Sequence, residues 1–104
     1  MRELFFKVNG QKLQKDPNCN FKGIIAGTRN YLIASFLFSS DWSGTTKVAV
    51  FKKLGEEYPV KIEKNKCIIP AEALTWRNFS VYVIGQKDDS RIKTNADIVL
   101  QEVV

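Results

Sequence analysis

Few residues in this chain are of a type that could do chemistry, and their spacing does not bring them together. Two acidic pairs, Glu56-Glu57 and Asp88-Asp89, are the carboxylates that an acid–base or glycoside-cleaving site would draw on. Both pairs fall among turn residues, where a solvated carboxylate is the default. The chain has no histidine. That removes the usual general base, the usual metal ligand and every Ser-His or Cys-His dyad. Two lone cysteines, Cys19 and Cys67, cannot complete a structural zinc site. Gly23 and Gly27 are followed by no Lys-Ser and open no helix, so they form no phosphate loop. The sequence implies no catalytic residue, no metal site and no cofactor, and an enzyme is not expected.

The cysteines read differently from each other. Cys67 lies in the apolar run KCIIP and is expected to behave as a small buried hydrophobe. Cys19, in DPNCNF, is expected to be more exposed, with only Lys15 and Lys22 nearby to lower its pKa. No apolar run approaches the roughly 20 residues of a membrane helix. The opening MRELFFKVNGQK has an apolar pair and no longer hydrophobic stretch, so no signal peptide is expected. Both thiols should then stay reduced.

The aromatic residues are the better candidates for a contact surface. Trp42 sits in a polar loop, SSDWSGT, between two apolar runs. It reads either as an exposed platform for a sugar, a base or a protein, or as a residue folded back over the open end of the fold. Trp76 follows a helical signal and is expected to cap the core. Tyr31, Tyr58 and Tyr82 alternate with apolar neighbours, as half-buried tyrosines with wet hydroxyls do. The candidate contact surface is Trp42 with its neighbours Asp41 and Ser43, together with Tyr58 and Trp76. Phe51-Lys52-Lys53 and Trp76-Arg77 interleave aromatics with bases, as single-strand binders do, but only twice. The net charge of +5 is spread along the whole chain. A dedicated nucleic-acid binder gathers its bases into a stripe, so nucleic acid is not the favoured partner.

The elements that must position these residues are strands. One hundred and four residues make one domain, 1–104, with an apolar fraction of 44%. A chain of this size buries roughly 65% of the surface its unfolded form exposes. LFFKV (4–8) reads as a strand, Asn9-Gly10 as a type I′ hairpin turn, and Gln11 to Gln14 as the returning strand. DPNCN (16–20) is loop, and Phe21 to Asn30 is either a short strand or a bend.

From Tyr31 the pattern strengthens. Tyr31, Ile33, Ser35 and Leu37 form one face of a strand, and Leu32, Ala34, Phe36 and Phe38 the other. Two largely apolar faces predict a central strand covered at least in part on both sides. TKVAVF (46–51) alternates, with Val48 and Val50 on one face and Lys47, Ala49 and Phe51 on the other. YPVKI (58–62) carries a proline, which assigns it to an edge or a bulge. Lys64-Asn65-Lys66 turns into Cys67-Ile68-Ile69, and Pro70 opens one helical turn to Leu74. FSVYVI (79–84) points Phe79, Val81 and Val83 inward. Lys87 to Ser90 turns it back into Arg91-Ile92-Lys93, and Ile98 to Val103 supplies a last strand. About eight strands with turns at this spacing predict an all-β, immunoglobulin-like antiparallel β-sandwich. A small, partly open β-barrel is the alternative.

A series of landmarks within this pattern carries a resemblance. They are F-x-F-S-x-x-W (36–42), Gly44, K-x-A-V-F (47–51), Y-x-V (58–60), C-x-I-P-x-E-x-L (67–74), F-x-V-x-V-x-G (79–85) and R-I-x-T-N (91–95). Over roughly two thirds of the chain they resemble the small β-sandwich modules of phage tail and baseplate proteins from Gram-positive hosts. The resemblance implies a structural or adaptor module of a virion, made in the bacterial host cytoplasm, that works through protein–protein contacts. Its implied partners are other virion proteins or further copies of itself, with no membrane and no catalytic residue. Leu4 to Asn30 lies outside the resemblance. Three rival functions stand beside this one: a nucleic-acid-binding module, a carbohydrate-binding module for the host wall, and an inhibitor of a host enzyme.

Overall fold

A computed structural model describes the chain from Met1 to Val104. It contains nine strands: β1 (Arg2–Asn9), β2 (Lys12–Lys15), β3 (Leu32–Phe38), β4 (Thr46–Lys53), β5 (Glu56–Lys61), β6 (Lys66–Ile68), β7 (Asn78–Lys87), β8 (Ser90–Lys93) and β9 (Asp97–Leu100). They form two sheets. One has the order β2-β1-β3-β6; the other has the order β5-β4-β7-β8, with β9 also paired to β7. The ten-residue β7 is long enough to take β8 along its second half and β9 along its first. The result is an all-β sandwich, and the sheets do not close into a barrel. Every strand pair is antiparallel except one: β1 and β3 run parallel, with Leu4 beside Ala34 and Phe6 beside Phe36.

Alternation builds the core. Leu4, Phe6 and Val8 of β1 and Leu32, Ala34 and Phe36 of β3 point inward. They meet Ala49 and Phe51 of β4 and Phe79, Val81 and Val83 of β7. Each large side chain removed from water in this way contributes roughly 1.5–3 kcal/mol. An aromatic ladder runs through one end of the core. Phe21 packs edge-on to Phe6, which stacks on Phe36, then Phe38, then Trp42, with successive ring centroids 5.4, 5.5, 5.7 and 5.2 Å apart.

Two expectations need correction, the first turn and the last strand, and two open ones are resolved. The first hairpin pairs Asn9 with Lys12, so Gly10 and Gln11 occupy its centre. Only Gly10 has positive φ (59°), which rules out type I′ there. Positive φ at two successive central residues occurs instead at Leu54-Gly55 and at Lys64-Asn65. Of the two alternatives for Phe21 to Asn30, the bend is the one found, with Ile24 buried and Ile25 making a parallel bridge to Glu102. The last strand ends at Leu100 rather than Val103. On β3, the face bearing Tyr31, Ile33, Ser35 and Leu37 is covered only in part: Ser35 is buried and Ile33 half-buried, while Leu37 is 67% exposed.

The long edge strands are closed by particular groups. Asn95 lies along β2, accepting from the Leu13 N–H at 2.8 Å and donating to the Leu13 carbonyl at 3.1 Å, as a neighbouring strand would. Lys15 is tied to Asp97 at 3.1 Å. On β5, the Ile62 N–H donates to Lys47, and the ladder alternates from that pair. Pro59 therefore presents its nitrogen to the free edge, where it has no proton to donate.

Candidate interaction surfaces

The acidic pairs do not converge. In the first, Glu56 accepts a hydrogen bond from the Tyr58 hydroxyl, and Glu57 accepts one from the Tyr82 hydroxyl, each at 2.7 Å. The bond to Glu56 raises the Tyr58 hydroxyl above its ordinary pKa. Tyr82 is raised as well, chiefly by partial burial and then by its bond to Glu57. Both carboxylates are thus engaged in holding tyrosines, one along β5 and one across to β7. Asp88 and Asp89 are exposed in the turn between β7 and β8. Nowhere do three His, Cys, Asp or Glu side chains gather as metal ligands would. The Cys67 thiol is buried, which pushes its pKa up to about 12, so it stays protonated and unreactive at neutral pH. Cys19 is half-buried, and its sulfur accepts from the Phe5 N–H at 3.4 Å.

Trp42 is not an exposed platform. A single 3-10 turn over Ser40–Trp42 folds the loop back, and the indole is fully buried. Its ring N–H donates to the Gly10 carbonyl at 2.8 Å, so burial leaves no bare donor. The other side of the ring lies on Gly85, where a Cβ would come within 2.8 Å of two indole carbons. Gly85 is there for close approach, since its φ lies outside the left-handed region. The neighbours of Trp42, Asp41 and Ser43, are exposed.

Trp76 is 38% exposed and lies under the Arg77 guanidinium, 4.9 Å from the ring centroid. Tyr58 is half-buried on the edge strand β5. These candidates lie at two ends of the molecule. The Trp42 loop leads into the start of β4 at Thr46, whereas Lys53 at its far end donates to Thr75 beside Trp76. Eight residues of strand separate the ends by roughly 24 Å.

A continuous surface does exist elsewhere, on the outer face of the β2-β1-β3-β6 sheet. Register brings Phe5 beside Ser35 and Ile33 beside Ile68. Phe5 (44%), Leu37 (67%) and Ile68 (47%) stand exposed there. Ser35, at the centre, is buried and donates to the Glu3 carboxylate at 2.6 Å. A shallow depression over this face is lined by Phe5, Asp16, Ser35, Leu37, Lys64 and Lys66 among others. The sequence signal for it was the second apolar face of β3, which alone does not say whether another layer covers it.

The outer face of the second sheet is different. Val50 is buried there, Val48 and Ile84 are half-buried, and Tyr82 lies under the Lys93 ammonium at 4.7 Å. Polar and charged side chains cover the middle of this face, while Ile98 (56%) and Leu100 (71%) of β9 stand exposed at its margin.

Fold and surfaces together define a small two-sheet β-sandwich with exposed apolar side chains across the β2-β1-β3-β6 face and along β9, and no converging set of reactive side chains. No family model matches the chain, and no curated protein does. Among solved structures, it is similar to the N-terminal domain of phage TP901-1 ORF48. The two share 17% sequence identity and superpose with a TM-score of 0.56, over 98% of this chain and 99% of that one. The likeness is one of fold, and it runs end to end.

Proposed function

We propose that this chain is a non-enzymatic structural or adaptor module of a phage or prophage particle, acting through protein–protein contacts in a tail or baseplate. The observation that carries this reading is the end-to-end fold likeness to a phage protein domain, which takes in Leu4 to Asn30 as well as the strands after Tyr31. The bare face of the β2-β1-β3-β6 sheet supports it, because large apolar side chains left exposed in a cluster are the mark of a contact surface. On this reading the primary contact surface is that face, and the exposed Asp41 and Ser43 of the end loop form a second.

The test is to purify particles from an induced lysate on a density gradient and measure the chain in them by quantitative mass spectrometry. The expected result is co-sedimentation with tails at a fixed copy number per particle. A chain found only in the unsedimented fraction refutes the virion role.

A further inference from the structure

We propose that the outer face of the β2-β1-β3-β6 sheet is a self-complementary interface that pairs two copies of this chain about a two-fold axis running along the strands. This deepens the proposed function, on which it rests, by naming the partner of that face.

The argument is one of charge and register. Asp16 lies beside Phe5, its N–H donating to the Phe5 carbonyl at 2.9 Å. Phe5 is paired with Ser35, and Ser35 with Lys66. One row across the sheet therefore reads Asp16, Phe5, Ser35, Lys66, with an acid at one edge and a base at the other. A two-fold axis along the strands, between β1 and β3, lays β1 over the partner's β3 and the Asp16 edge over the partner's β6 edge. Asp16 then meets the partner's Lys66, and Lys66 meets the partner's Asp16, so one contact is made twice, as an isologous interface requires. Like charges would oppose each other if the axis ran across the strands instead.

The middle of the row is suited to burial. Phe5 is laid over the partner's Ser35, whose hydroxyl already donates to the Glu3 carboxylate, so covering it leaves no hydroxyl unpaired. The exposed Glu3 carboxylate loses water in the contact, which weakens the pairing. In the next row, Lys7 and Leu37 are paired in register, and the Lys7 stem is laid along the partner's Leu37. Face-to-face sheets with nearly aligned strands are an ordinary packing geometry. Strands of eight, four, seven and three residues present a face of roughly 350 Å² per copy, below the usual size of specific interfaces. Association is therefore weak and concentration-dependent. The exposed ion pairs set the register more than the affinity.

The test is sedimentation velocity on the intact chain from about 10 μM to 1 mM, at low salt and at 0.5 M salt, a range that brackets weak association. It compares the wild type with Asp16→Lys, Lys66→Asp, the double reversal, and Leu37→Glu. The wild type is expected to rise from one chain mass towards two. Each single reversal weakens pairing about tenfold, and the double reversal restores it to within about threefold. Leu37→Glu stays monomeric with an unchanged thermal midpoint, because that side chain is already 67% exposed. Asp16 also accepts from the Asn18 N–H, so Lys66→Asp and Leu37→Glu keep the test decisive if Asp16→Lys is unstable.

A wild type monomeric throughout, a dimer indifferent to Leu37→Glu, or reversals without mutual rescue would each overturn the proposal. If the monomer still enters purified particles and Leu37→Glu expels it, the face takes a different tail protein. The phage-module reading then stands without self-pairing.

Discussion

Replacing Gly85 by alanine should cost stability only while Trp42 is present. The new methyl would lie 2.8 Å from Cε3 and Cζ3 of the indole and 3.0 Å from Cγ2 of Ile92. Carbon atoms prefer roughly 3.5–4.0 Å, so something must move by more than half an ångström. The indole cannot easily retreat. Its N–H is fixed on the Gly10 carbonyl, and Phe38 packs 5.2 Å away, centroid to centroid. Overpacking of this kind costs about 1–3 kcal/mol. Trp42→Ala alone removes a fully buried ring and should cost about 3–5 kcal/mol. With unfolding entropy near 2.1 cal/mol/K per residue over 104 residues, a 4 kcal/mol loss lowers the thermal midpoint by roughly 18 °C. In the Trp42→Ala background the Gly85→Ala methyl projects into vacated space on the indole side, and the remaining 3.0 Å contact with Ile92 Cγ2 is relieved by a shift of a few tenths of an ångström in that half-buried side chain. It should then be neutral or stabilising by about 0.5–1 kcal/mol, the ordinary gain of alanine over glycine in a strand. The two substitutions should therefore show a coupling of about 2 kcal/mol or more. Urea unfolding followed by far-UV circular dichroism measures all four corners of the cycle. Equal costs for Gly85→Ala in both backgrounds, or a loss below about 1 kcal/mol for Trp42→Ala, would refute the packing and return Trp42 to the surface.

Asn95→Ala should cost about 2 kcal/mol by removing both side-chain bonds to Leu13, and hydrogen exchange should show the Leu13 amide losing protection. Alkaline pH should destabilise the protein through Cys67. Its folded thiol is held protonated to about 12 whereas the ordinary value is 9.0, so its contribution is intact below pH 9 and drains away between pH 9 and 12. Between neutral pH and pH 10 that is about 1 kcal/mol, measured as the difference in pH slope between the wild type and Cys67→Ala, because the raised Tyr58 and Tyr82 hydroxyls act in the same direction at higher pH. Pro59→Val restores an outward N–H to the free edge of β5, and light scattering during heating should rise earlier than in the wild type.

The strands were legible because alternation and turn chemistry are local. The run FSVYVI shows its inward Phe79, Val81 and Val83 with no help from the rest of the chain. Pro59 marks an edge because a missing N–H has the same consequence in any sheet. Pairing is not local. Nothing between Asp16 and Tyr31 announces that β3 returns parallel to β1, since that depends on where a strandless crossover leads. Trp42 was ambiguous because its neighbours are polar, and only the fold brings Gly10, Phe38 and Gly85 round it. The bare face is distributed over three strands: Phe5, Leu37 and Ile68 come from separate segments. No window of sequence contains it.

The arrangement of edges and faces narrows how this domain can associate. A sandwich can recruit a partner by adding a strand to an open edge or by covering a face. Here the edges are largely spent. β2 is buttressed by Asn95, and β5 lacks a donor at Pro59. β6 is only three residues long, and its Lys66 N–H and carbonyl are both taken up by Glu63. On β9, the Ile98 carbonyl accepts the Lys15 ammonium. The outer face of the β5-β4-β7-β8 sheet is covered at its middle by its own tyrosine, lysine and glutamate contacts, with Ile98 and Leu100 exposed only along β9. The face holding Phe5, Leu37 and Ile68 is the one with uncovered apolar side chains at its centre and opposite charges at its two edges. Burying such a face releases water from large side chains without stranding the one hydroxyl at its middle, which an edge-on contact cannot do. Association by face rather than by edge is thus what these residues favour, and Leu37→Glu, on the surface and away from the core, is the substitution that separates the two.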